Sequence, residues 1–467
     1  MTDVVYLGIA EAAELLRSKK LSPVEYAKAL IDRIERHDGG LNAFIRFTPD
    51  LALEDARRAE AEIMRGAWRG PLHGVPYGLK DIVDYVGLPT TAHSKILKDN
   101  VAATDALVTQ KLREAGGVFM GKLSTHEFAI GGPSFDLPWP PARNPWNRDH
   151  FCGGSSSGSG AAVAAGFLPA AIGTDTGGSV RNPASMCGVV GIKPTYGLVS
   201  RRGVFPLSFS LDHVGPLTRT VRDNALMLDL IAGPDPLDPG SAAHAGGACT
   251  AQLGRGVEGL RIGVIRHFYT RDMEADAEMT AGIDAAVKTL ADLGARVREI
   301  ETAPLSEYLA VNRTILTSEA FAIHENWMRE RPQDYGALAR ERLMAGAFVR
   351  AADYVNATRL RRKITDAFHA LFTDIDVAIT SSSMDPACRI DDPKAVEYTY
   401  ARQSRAPFNV TGSPALSVPA GFSKAGLPLA MQVVGKPFSE AMVYRVADAY
   451  EQATQWFERH PRLDAGR

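Results

Sequence analysis

Two clusters of glycine and serine lie close together in the chain, joined by a segment that carries no charge. Residues 153–184 read GGSSSGSGAAVAAGFLPAAIGTDTGGSVRNPA. An Ala/Val run that favours a helix follows the first cluster, and the apolar residues 170–173 precede the second. A flexible Gly/Ser linker would be longer and would lack such core-like neighbours. The stretch therefore predicts a buried reactive site in which hydroxyl groups are enclosed by apolar residues.

The composition is that of a globular protein. The 467 residues are 45% hydrophobic and 23% charged, with a formal net charge of −2 and no long run of one sign. This near-neutral charge gives no sign of a basic surface that binds nucleic acid. The four cysteines form no C-x-x-C pair, so we expect neither a zinc site nor a redox motif. Cys152 adjoins the first cluster, but no histidine near it suggests a catalytic thiol.

Targeting and membrane signals are weak. The N-terminus has no basic leader before Glu11, which argues against a secretory signal. The longest uncharged stretch, residues 151–174, begins with Gly and Ser and holds only about a dozen apolar residues, too few to span a bilayer. We therefore expect a cytoplasmic protein without a membrane segment.

Strand-like and helix-like segments alternate from end to end, which predicts a layered α/β architecture. Ser22, Pro23 and Glu25 predict a capped helix start, and Asp105 is expected to cap a later helix. Buried strands are predicted over residues 118–120, 260–265, 295–300, 376–379, 415–419 and 429–434, and helices over residues 51–65, 277–293 and 439–454.

The domain organisation follows from the same pattern. We expect one large domain over residues 1–467, with a mixed central β-sheet covered by helices on both faces. Residues 233–259 are rich in Pro, Gly and Ala and predict a surface connection. The variable helical region 305–406 is expected to contribute to a substrate pocket.

Several motif-like segments fail on inspection. Residues 116–122 fit G-x-x-x-x-G-K, but Leu123 stands where a phosphate loop needs Ser or Thr. Residues 154–158 fit the nucleophile elbow G-x-S-x-G, which would make Ser156 the nucleophile of an esterase, but the preceding residues are polar rather than a strand. His126-Glu127 lacks the second histidine of H-E-x-x-H, and no metal site is expected.

Residues 153–184 closely resemble the defining motif of the amidase signature family. The lysine segment of that family is similar to residues 74–81, GVPYGLKD. Further matches are residues 144–147, NPWN; residues 188–195, GVVGIKPT; and residues 407–415, PFNVTGSPA. The resemblance therefore covers nearly the whole chain.

The resemblance implies a Ser–Ser–Lys triad. It places the nucleophile at Ser179, a bridging serine at Ser155 after a cis peptide bond from Gly154, and the base at Lys80. A serine hydroxyl needs a base to become nucleophilic, and a lysine can serve when it is neutral. That requires burial to lower its pKa by roughly 2–3 units from about 10.4.

The second cluster also predicts an oxyanion hole. The backbone N–H groups of residues 176–179, namely Thr176, Gly177, Gly178 and Ser179, can point at one spot. Asp175 and Arg181 flank this turn and are expected to lock it, while Ser156 is expected to support the first cluster. We expect a substrate pocket that includes His126, Ile130, Gly131 and Gly132.

The resemblance implies hydrolysis of a carbon–nitrogen bond through an acyl-serine intermediate, with esters, anilides and carbamates as further substrates. No cofactor is implied. The expected partner is a small-molecule amide, with no nucleic acid and no membrane, bound by a monomer or homodimer. One alternative is the A subunit of a tRNA-dependent amidotransferase, although residues 318–336 look more like free-standing amidases. The other is an inactive scaffold on the same fold.

Overall fold

The computed structural model describes residues 4–246 and 248–464. Thirteen strands occur within these residues: β1 (Phe44–Phe47), β2 (Pro76–Lys80), β3 (Val118–Leu123), β4 (Arg143–Asn144), β5 (Asn147–Phe151), β6 (Ala170–Asp175), β7 (Val190–Lys193), β8 (His213–Thr218), β9 (Arg261–Val264), β10 (Arg296–Glu299), β11 (Val377–Ser381), β12 (Ala415–Phe422) and β13 (Pro428–Val434).

Eleven of these strands form one mixed sheet in the order β1-β3-β2-β6-β8-β7-β12-β13-β11-β9-β10, and β4 pairs with β5 separately. Strand β2 runs parallel to both β3 and β6, and β9 runs parallel to both β11 and β10. The other neighbours in the sheet are antiparallel. The predicted fold class, a mixed central sheet covered by helices, is confirmed.

Helices flank the sheet. They are α1 (Ile9–Arg17), α2 (Pro23–His37), α3 (Pro49–Met64), α4 (Leu107–Glu114), α5 (Ser157–Ala164), α6 (Arg181–Cys187), α7 (Val221–Ile231), α8 (His267–Thr270), α9 (Ala277–Asp292), α10 (Leu305–Glu330), α11 (Ala337–Met344), α12 (Ala351–Ala370), α13 (Pro393–Ala401), α14 (Ala406–Val410) and α15 (Glu440–Thr454).

Local sequence explains where several helices begin. The Ser22 hydroxyl accepts hydrogen bonds from the backbone N–H groups of Val24 and Glu25, and the Glu25 carboxylate reaches back to the Ser22 N–H, which confirms the predicted cap. The prediction for Asp105 is wrong. Helix α4 begins after Ala106 without a side-chain cap, because the Asp105 carboxylate instead accepts from the Val86 N–H and pairs with Arg113.

Residues 233–259 and 305–406, which the sequence singled out, are both held by contacts within the fold. In the predicted surface connection, residues 233–259, Asp235 pairs with Arg202 and Asp238 pairs with Arg201; Gly247 of this segment lies outside the described residues. Residues 305–406 contain helices α10 to α13 together with strand β11. Among the described residues, no helix is both long and apolar enough to cross a membrane.

Two adjacent parallel strands position the site. Leu79 of β2 lies opposite Ile172 of β6, so the carboxyl ends of these strands meet at one edge of the sheet. Lys80 ends β2 and Asp175 ends β6, and helix α5 begins between them in sequence. Each Gly/Ser cluster thus forms a turn beside a sheet edge, which is a common place for ligand-binding residues in α/β folds.

Candidate active site

Lys80 is fully buried at the end of β2. Its Nζ donates hydrogen bonds to the Ser155 Oγ at 2.7 Å and to the Thr174 Oγ1 at 2.7 Å. Burial lowers the pKa of Lys80 to about 7, although the negative charges of Asp175 and Asp212 oppose this shift. A substantial fraction of this lysine is therefore neutral near pH 7 and able to accept a proton.

Ser155 lies in a turn whose backbone is held on both sides. The Gly154–Ser155 peptide bond is cis, as the family resemblance implies. The Gly154 N–H donates to the Asn182 Oδ1 at 2.9 Å, and the Ser155 carbonyl accepts from the His126 N–H at 3.0 Å. A Cβ at position 154 would overlap the His126 ring, so only glycine fits there.

Ser179 is 4% exposed and lies beside the first cluster, because its carbonyl accepts from the Ser156 N–H at 3.1 Å. Within the described part of the chain its Oγ has no hydrogen-bond partner. Catalytic hydrogen bonds are often loose before substrate binds. The structure thus brings Lys80, Ser155 and Ser179 together, with the first two already bonded.

The turn before Ser179 offers backbone donors. In the regions described, the N–H groups of Thr176, Gly177 and Ser179 have no partner. Gly178 departs from the prediction, because its N–H donates to the Asp175 Oδ1 at 2.8 Å and so is not free to bind an oxyanion. Three of the four predicted donors remain available.

Asp175 and Arg181 form a fully buried ion pair, with 2.9 Å between the Asp175 Oδ1 and the Arg181 Nη2. The Asp175 carboxylate also accepts from the Val180 N–H at 3.1 Å and from the Asn409 Nδ2 at 2.8 Å. Burial opposes ionisation, but Arg181 and these hydrogen bonds hold the pKa of Asp175 well below its usual range. The pair locks the turn that carries Ser179.

Ser156 supports the site without facing it. Its Oγ accepts from the Thr174 N–H at 3.2 Å and donates to the Thr174 carbonyl at 3.2 Å. This bridge fixes the residue whose hydroxyl contacts Lys80.

The predicted pocket residues are divided between two environments. His126 and Gly132 line a cavity of about 10 Å³, and Ile130 packs in an apolar cluster with Phe128. The carbonyls of Ile130 and Gly131 accept from Arg342 at 3.0 and 3.1 Å. Burial, together with the charges of Arg342 and Lys80, lowers the pKa of His126 well below its ordinary value.

A larger cavity of about 270 Å³ is lined by Thr174, the residue whose hydroxyl accepts from Lys80. Its lining includes Thr174, Thr176 and Asp212, with a mostly apolar wall that contains Ile82 and Phe205. Residues 201–214, which supply much of this wall, were not predicted to contribute. Nothing in their sequence alone brings them near Lys80.

Sequence reasoning also missed several polar groups around the turn of residues 176–179. Asn312 of α10 donates to the Thr176 carbonyl at 3.2 Å, and Asn409 of α14 bridges Asp175 and Arg181. Asn409 belongs to the segment 407–415 that carried part of the resemblance, so a signal for it existed. No group of three or more His, Cys, Asp or Glu residues in the described ranges could hold a metal ion.

The family model named Amidase matches residues 25–444. The chain belongs to the amidase signature family. The A subunit of glutamyl-tRNA(Gln) amidotransferase from Carboxydothermus hydrogenoformans is 37% identical, over 99% of this chain and all of that protein. The same protein from Moorella thermoacetica is 40% identical, over 99% of each chain.

Two solved structures are also similar to this chain. A structure described as revealing the origins of an s-triazine catabolic enzyme through a vestigial protein complex has a TM-score of 0.89 at 33% identity, covering 98% of this chain and 100% of that one. The native peptide amidase from Stenotrophomonas maltophilia has a TM-score of 0.86 at 31% identity, covering 98% and 99%.

These relatives correct one prediction. The curated proteins are subunits, and their name includes a tRNA. The expectation of a monomer or homodimer that binds a small-molecule amide and no nucleic acid is therefore wrong. The near-neutral charge on which it rested describes the whole chain and does not report what a local surface binds.

Proposed function

We propose that this chain hydrolyses the carbon–nitrogen bond of a carboxamide through an acyl-serine intermediate on Ser179. The observation that carries the proposal is the contact of 2.7 Å between the buried Lys80 Nζ and the Ser155 Oγ, beside a turn in which three backbone N–H groups have no partner among the described residues. A serine nucleophile, a base that is neutral near pH 7 and a set of oxyanion donors are the parts that acyl transfer requires.

The proton path follows from these contacts. Neutral Lys80 accepts the Ser155 proton while Ser155 accepts the proton of Ser179, whose Oγ forms a bond to the amide carbon. The oxyanion is held by the N–H groups of residues 176, 177 and 179. Collapse of the tetrahedral intermediate breaks the C–N bond, and the relay returns a proton to the leaving nitrogen. Water then repeats the sequence on the acyl-enzyme and releases the acid.

The cavity of about 270 Å³ suits the leaving group. It is lined by Thr174, which bonds to Lys80, so it adjoins the group that supplies the proton to the departing nitrogen. Ammonia or a small amine released at this point enters the cavity directly.

The similar proteins suggest in which enzyme complex this hydrolysis takes place. We propose that the chain is the amide-hydrolysing A subunit of a tRNA-dependent amidotransferase in the cytoplasm, and that the ammonia it releases amidates an aminoacyl-tRNA. This rests on the 37–40% identity across nearly the full length of both chains.

A covalent probe tests the chemistry. A fluorophosphonate should label the folded protein at Ser179 and leave the Ser179→Ala variant unlabelled. Cys152→Ala is a suitable control, because burial raises the pKa of the Cys152 thiol to about 12 and keeps it protonated. A folded protein that resists the probe would instead be the inactive scaffold.

Substrate assays test the setting. Hydrolysis of aliphatic amides, anilides, esters and carbamates is measured for the chain alone and after addition of the other subunits of a bacterial glutamyl-tRNA(Gln) amidotransferase with its charged tRNA. We expect the partners and tRNA to raise amide hydrolysis at least tenfold. Full activity of the chain alone, unchanged by partners, would contradict the amidotransferase setting but not the acyl-serine chemistry.

A further inference from the structure

Asp212 joins the turn before Ser179 to the wall of the larger cavity. It is partly buried, directly precedes strand β8 and lines the cavity of about 270 Å³. Its Oδ1 accepts from the Thr176 Oγ1 at 2.6 Å, and its Oδ2 accepts from the N–H groups of Leu207 at 2.8 Å and Ser208 at 2.9 Å. Burial raises the pKa of Asp212, and these three hydrogen bonds oppose the shift. All three partners are donors, as an ionised carboxylate requires.

The next residue in the chain contacts the same turn. The His213 Nδ1 lies 2.6 Å from the Leu211 carbonyl and 3.2 Å from the Asp175 carbonyl. Carbonyl oxygens only accept, so this nitrogen carries the N–H. Burial lowers the pKa of His213 well below its ordinary value, so the ring is neutral near pH 7. The chain that leads into β8 therefore holds the turn at residues 175 and 176, and Asp212 is its charged member.

Thr176 is held by side chains on two sides. The Asn312 Nδ2 donates to its carbonyl at 3.2 Å, and Asp212 accepts from its hydroxyl. The remaining polar group of Thr176 is its backbone N–H, which has no partner within the part of the chain that the structure describes. Fixing the carbonyl and the hydroxyl fixes the direction of this N–H as well.

We infer that Asp212 is a positioning residue for the proposed amide hydrolysis, because it holds the Thr176 N–H in the direction of the oxyanion. The inference rests on the proposed function and adds a residue that acts on the oxyanion through Thr176. Preorganised donors stabilise an oxyanion because their direction is set before the reaction begins, and one such donor is typically worth about 10²–10³ in kcat. A donor that is loosened but not removed should lose a part of this.

The charge of Asp212 has a second effect, which a purely structural role would not produce. Burial lowers the pKa of Lys80 to about 7, and the negative charges of Asp175 and Asp212 oppose this shift. His126 also acts on Lys80, but burial lowers the pKa of its ring well below the ordinary value, so it is neutral. Asp175 already has Arg181 as its counter-ion, whereas Asp212 forms no ion pair within the described ranges. Removing the Asp212 charge should therefore lower the pKa of Lys80 further.

Asp212→Asn tests both effects on the full-length protein, with its partner subunits if they are needed for activity. The variant keeps the shape of the side chain, but its amide oxygen replaces only one of the two accepting oxygens. With propionamide, an uncharged substrate, we expect kcat to fall roughly tenfold while KM changes little. The acidic limb of the kcat/KM profile should move to lower pH by up to about one unit. An unchanged kcat would overturn the inference, and so would a limb that stays in place or moves to higher pH.

Asp238→Asn is the matched control. Asp238 is a second carboxylate in the wall of the same cavity, where it pairs with Arg201 at 3.0 Å and accepts from the Gly240 N–H at 2.9 Å. The variant therefore disturbs the wall without touching the turn before Ser179, and the acidic limb should stay where it is in the unmodified protein. An equal shift of the limb in both variants would overturn the assignment to Asp212.

Thr176→Val separates the hydrogen bond from the charge. It removes the hydroxyl that Asp212 holds and leaves the carboxylate in place, so kcat should again fall roughly tenfold while the limb does not move to lower pH. The double variant with Asp212→Asn should be no slower than either single variant, because both break the same contact. Additive losses, about a hundredfold in kcat, would overturn the inference. If Asp212→Asn does not fold, an unchanged kcat in Thr176→Val overturns it alone.

Failure of the proposed function has a different signature. If the unmodified protein hydrolyses no amide at any pH, with or without partner subunits, the proposed function is wrong and this inference falls with it. Hydrolysis by the unmodified protein, together with an unchanged kcat and an unchanged acidic limb in Asp212→Asn, contradicts the role of Asp212 alone.

Discussion

The Lys80 Nζ lies 2.7 Å from the Ser155 Oγ in a fully buried environment, and burial lowers the pKa of this lysine to about 7. Lysine acts as a base only when neutral, so kcat/KM should rise with pH through about 7 and level off above about 8. Below that value we expect a fall of about tenfold per pH unit. A pH profile measured on an uncharged amide checks this, and a flat profile from pH 6 to 8 would contradict the assignment of Lys80 as base.

Thr174→Val should change both the rate and the pH profile. The variant removes the hydroxyl that accepts from Lys80, so the ammonium form loses one hydrogen bond and the pKa falls further. We expect the acidic limb to move to lower pH by up to about one unit, and the plateau to fall about tenfold because Nζ is less well fixed. The control is Thr109→Val, which removes another buried hydroxyl, bonded to the Asp84 carbonyl at 2.7 Å. A shift of the acidic limb of the pH profile to higher pH in Thr174→Val would contradict this prediction.

Asn312→Ala should loosen the turn of residues 176–179, because it removes a side chain of helix α10 that holds this turn. The Asn312 amide donates to the Thr176 carbonyl at 3.2 Å and lies beside Gly177. We expect kcat to fall roughly tenfold with little change in KM, and stability to fall by about 1 kcal/mol. The control variant is Asn100→Ala. It removes an amide that donates to the Thr90 carbonyl at the same distance of 3.2 Å, away from the turn of residues 176–179. Equal kinetic losses in the two variants would argue against a role for Asn312 in the turn.

Asp175→Asn should be among the most destabilising single substitutions in the chain. It leaves the fully buried Arg181 guanidinium without its counter-ion, which typically costs about 3–5 kcal/mol. Asp292→Asn breaks the exposed pair with Lys288 and should cost less than about 0.5 kcal/mol. Chemical denaturation of both variants gives the comparison. Similar values would mean that the buried pair contributes no more than a surface pair.

Ser156→Ala and Ser179→Ala separate two serines that the sequence motifs place in competition. Ser156 bridges the backbone of Thr174, so its loss leaves a buried N–H without a partner and should cost about 1–3 kcal/mol of stability. We expect its hydrolysis rate to fall by less than about tenfold, and that of Ser179→Ala by more than about 10³-fold. The reverse order would support an esterase with its nucleophile at Ser156.

Much of the fold was predictable, because its strands are short apolar runs and its helices carry amphipathic patterns and caps. The failure at Asp105 shows the limit: a cap-forming residue was in place, but Val86 and Arg113 compete for its carboxylate. Such competition depends on tertiary contacts that no local pattern contains.

The site, like the fold, has residues that the sequence predicted and residues that depend on tertiary contacts. Lys80, Ser155 and Ser179 came from family resemblance, and their roles stay predictions. Asn312 was out of reach, because it contacts Thr176 only through the packing of the distant helix α10. Gly178 shows that even a recognised motif leaves the direction of an N–H undetermined, since Asp175 takes that donor.

The hydrogen bond between the Arg181 Nη1 and the Gln432 Oε1, at 2.7 Å, gives the site an order of assembly. Gln432 lies in β13, the last strand of the described chain, so the turn that carries Ser179 is fastened by residues synthesised long after it. A nascent chain holds the whole triad once residue 179 has been translated and the Asp175–Arg181 pair two residues later, but the hydrogen bond to Gln432 needs β13. A fragment that ends before residue 428 would carry the triad and its local ion pair, but it would lack the hydrogen bond that ties the turn to the far half of the sheet.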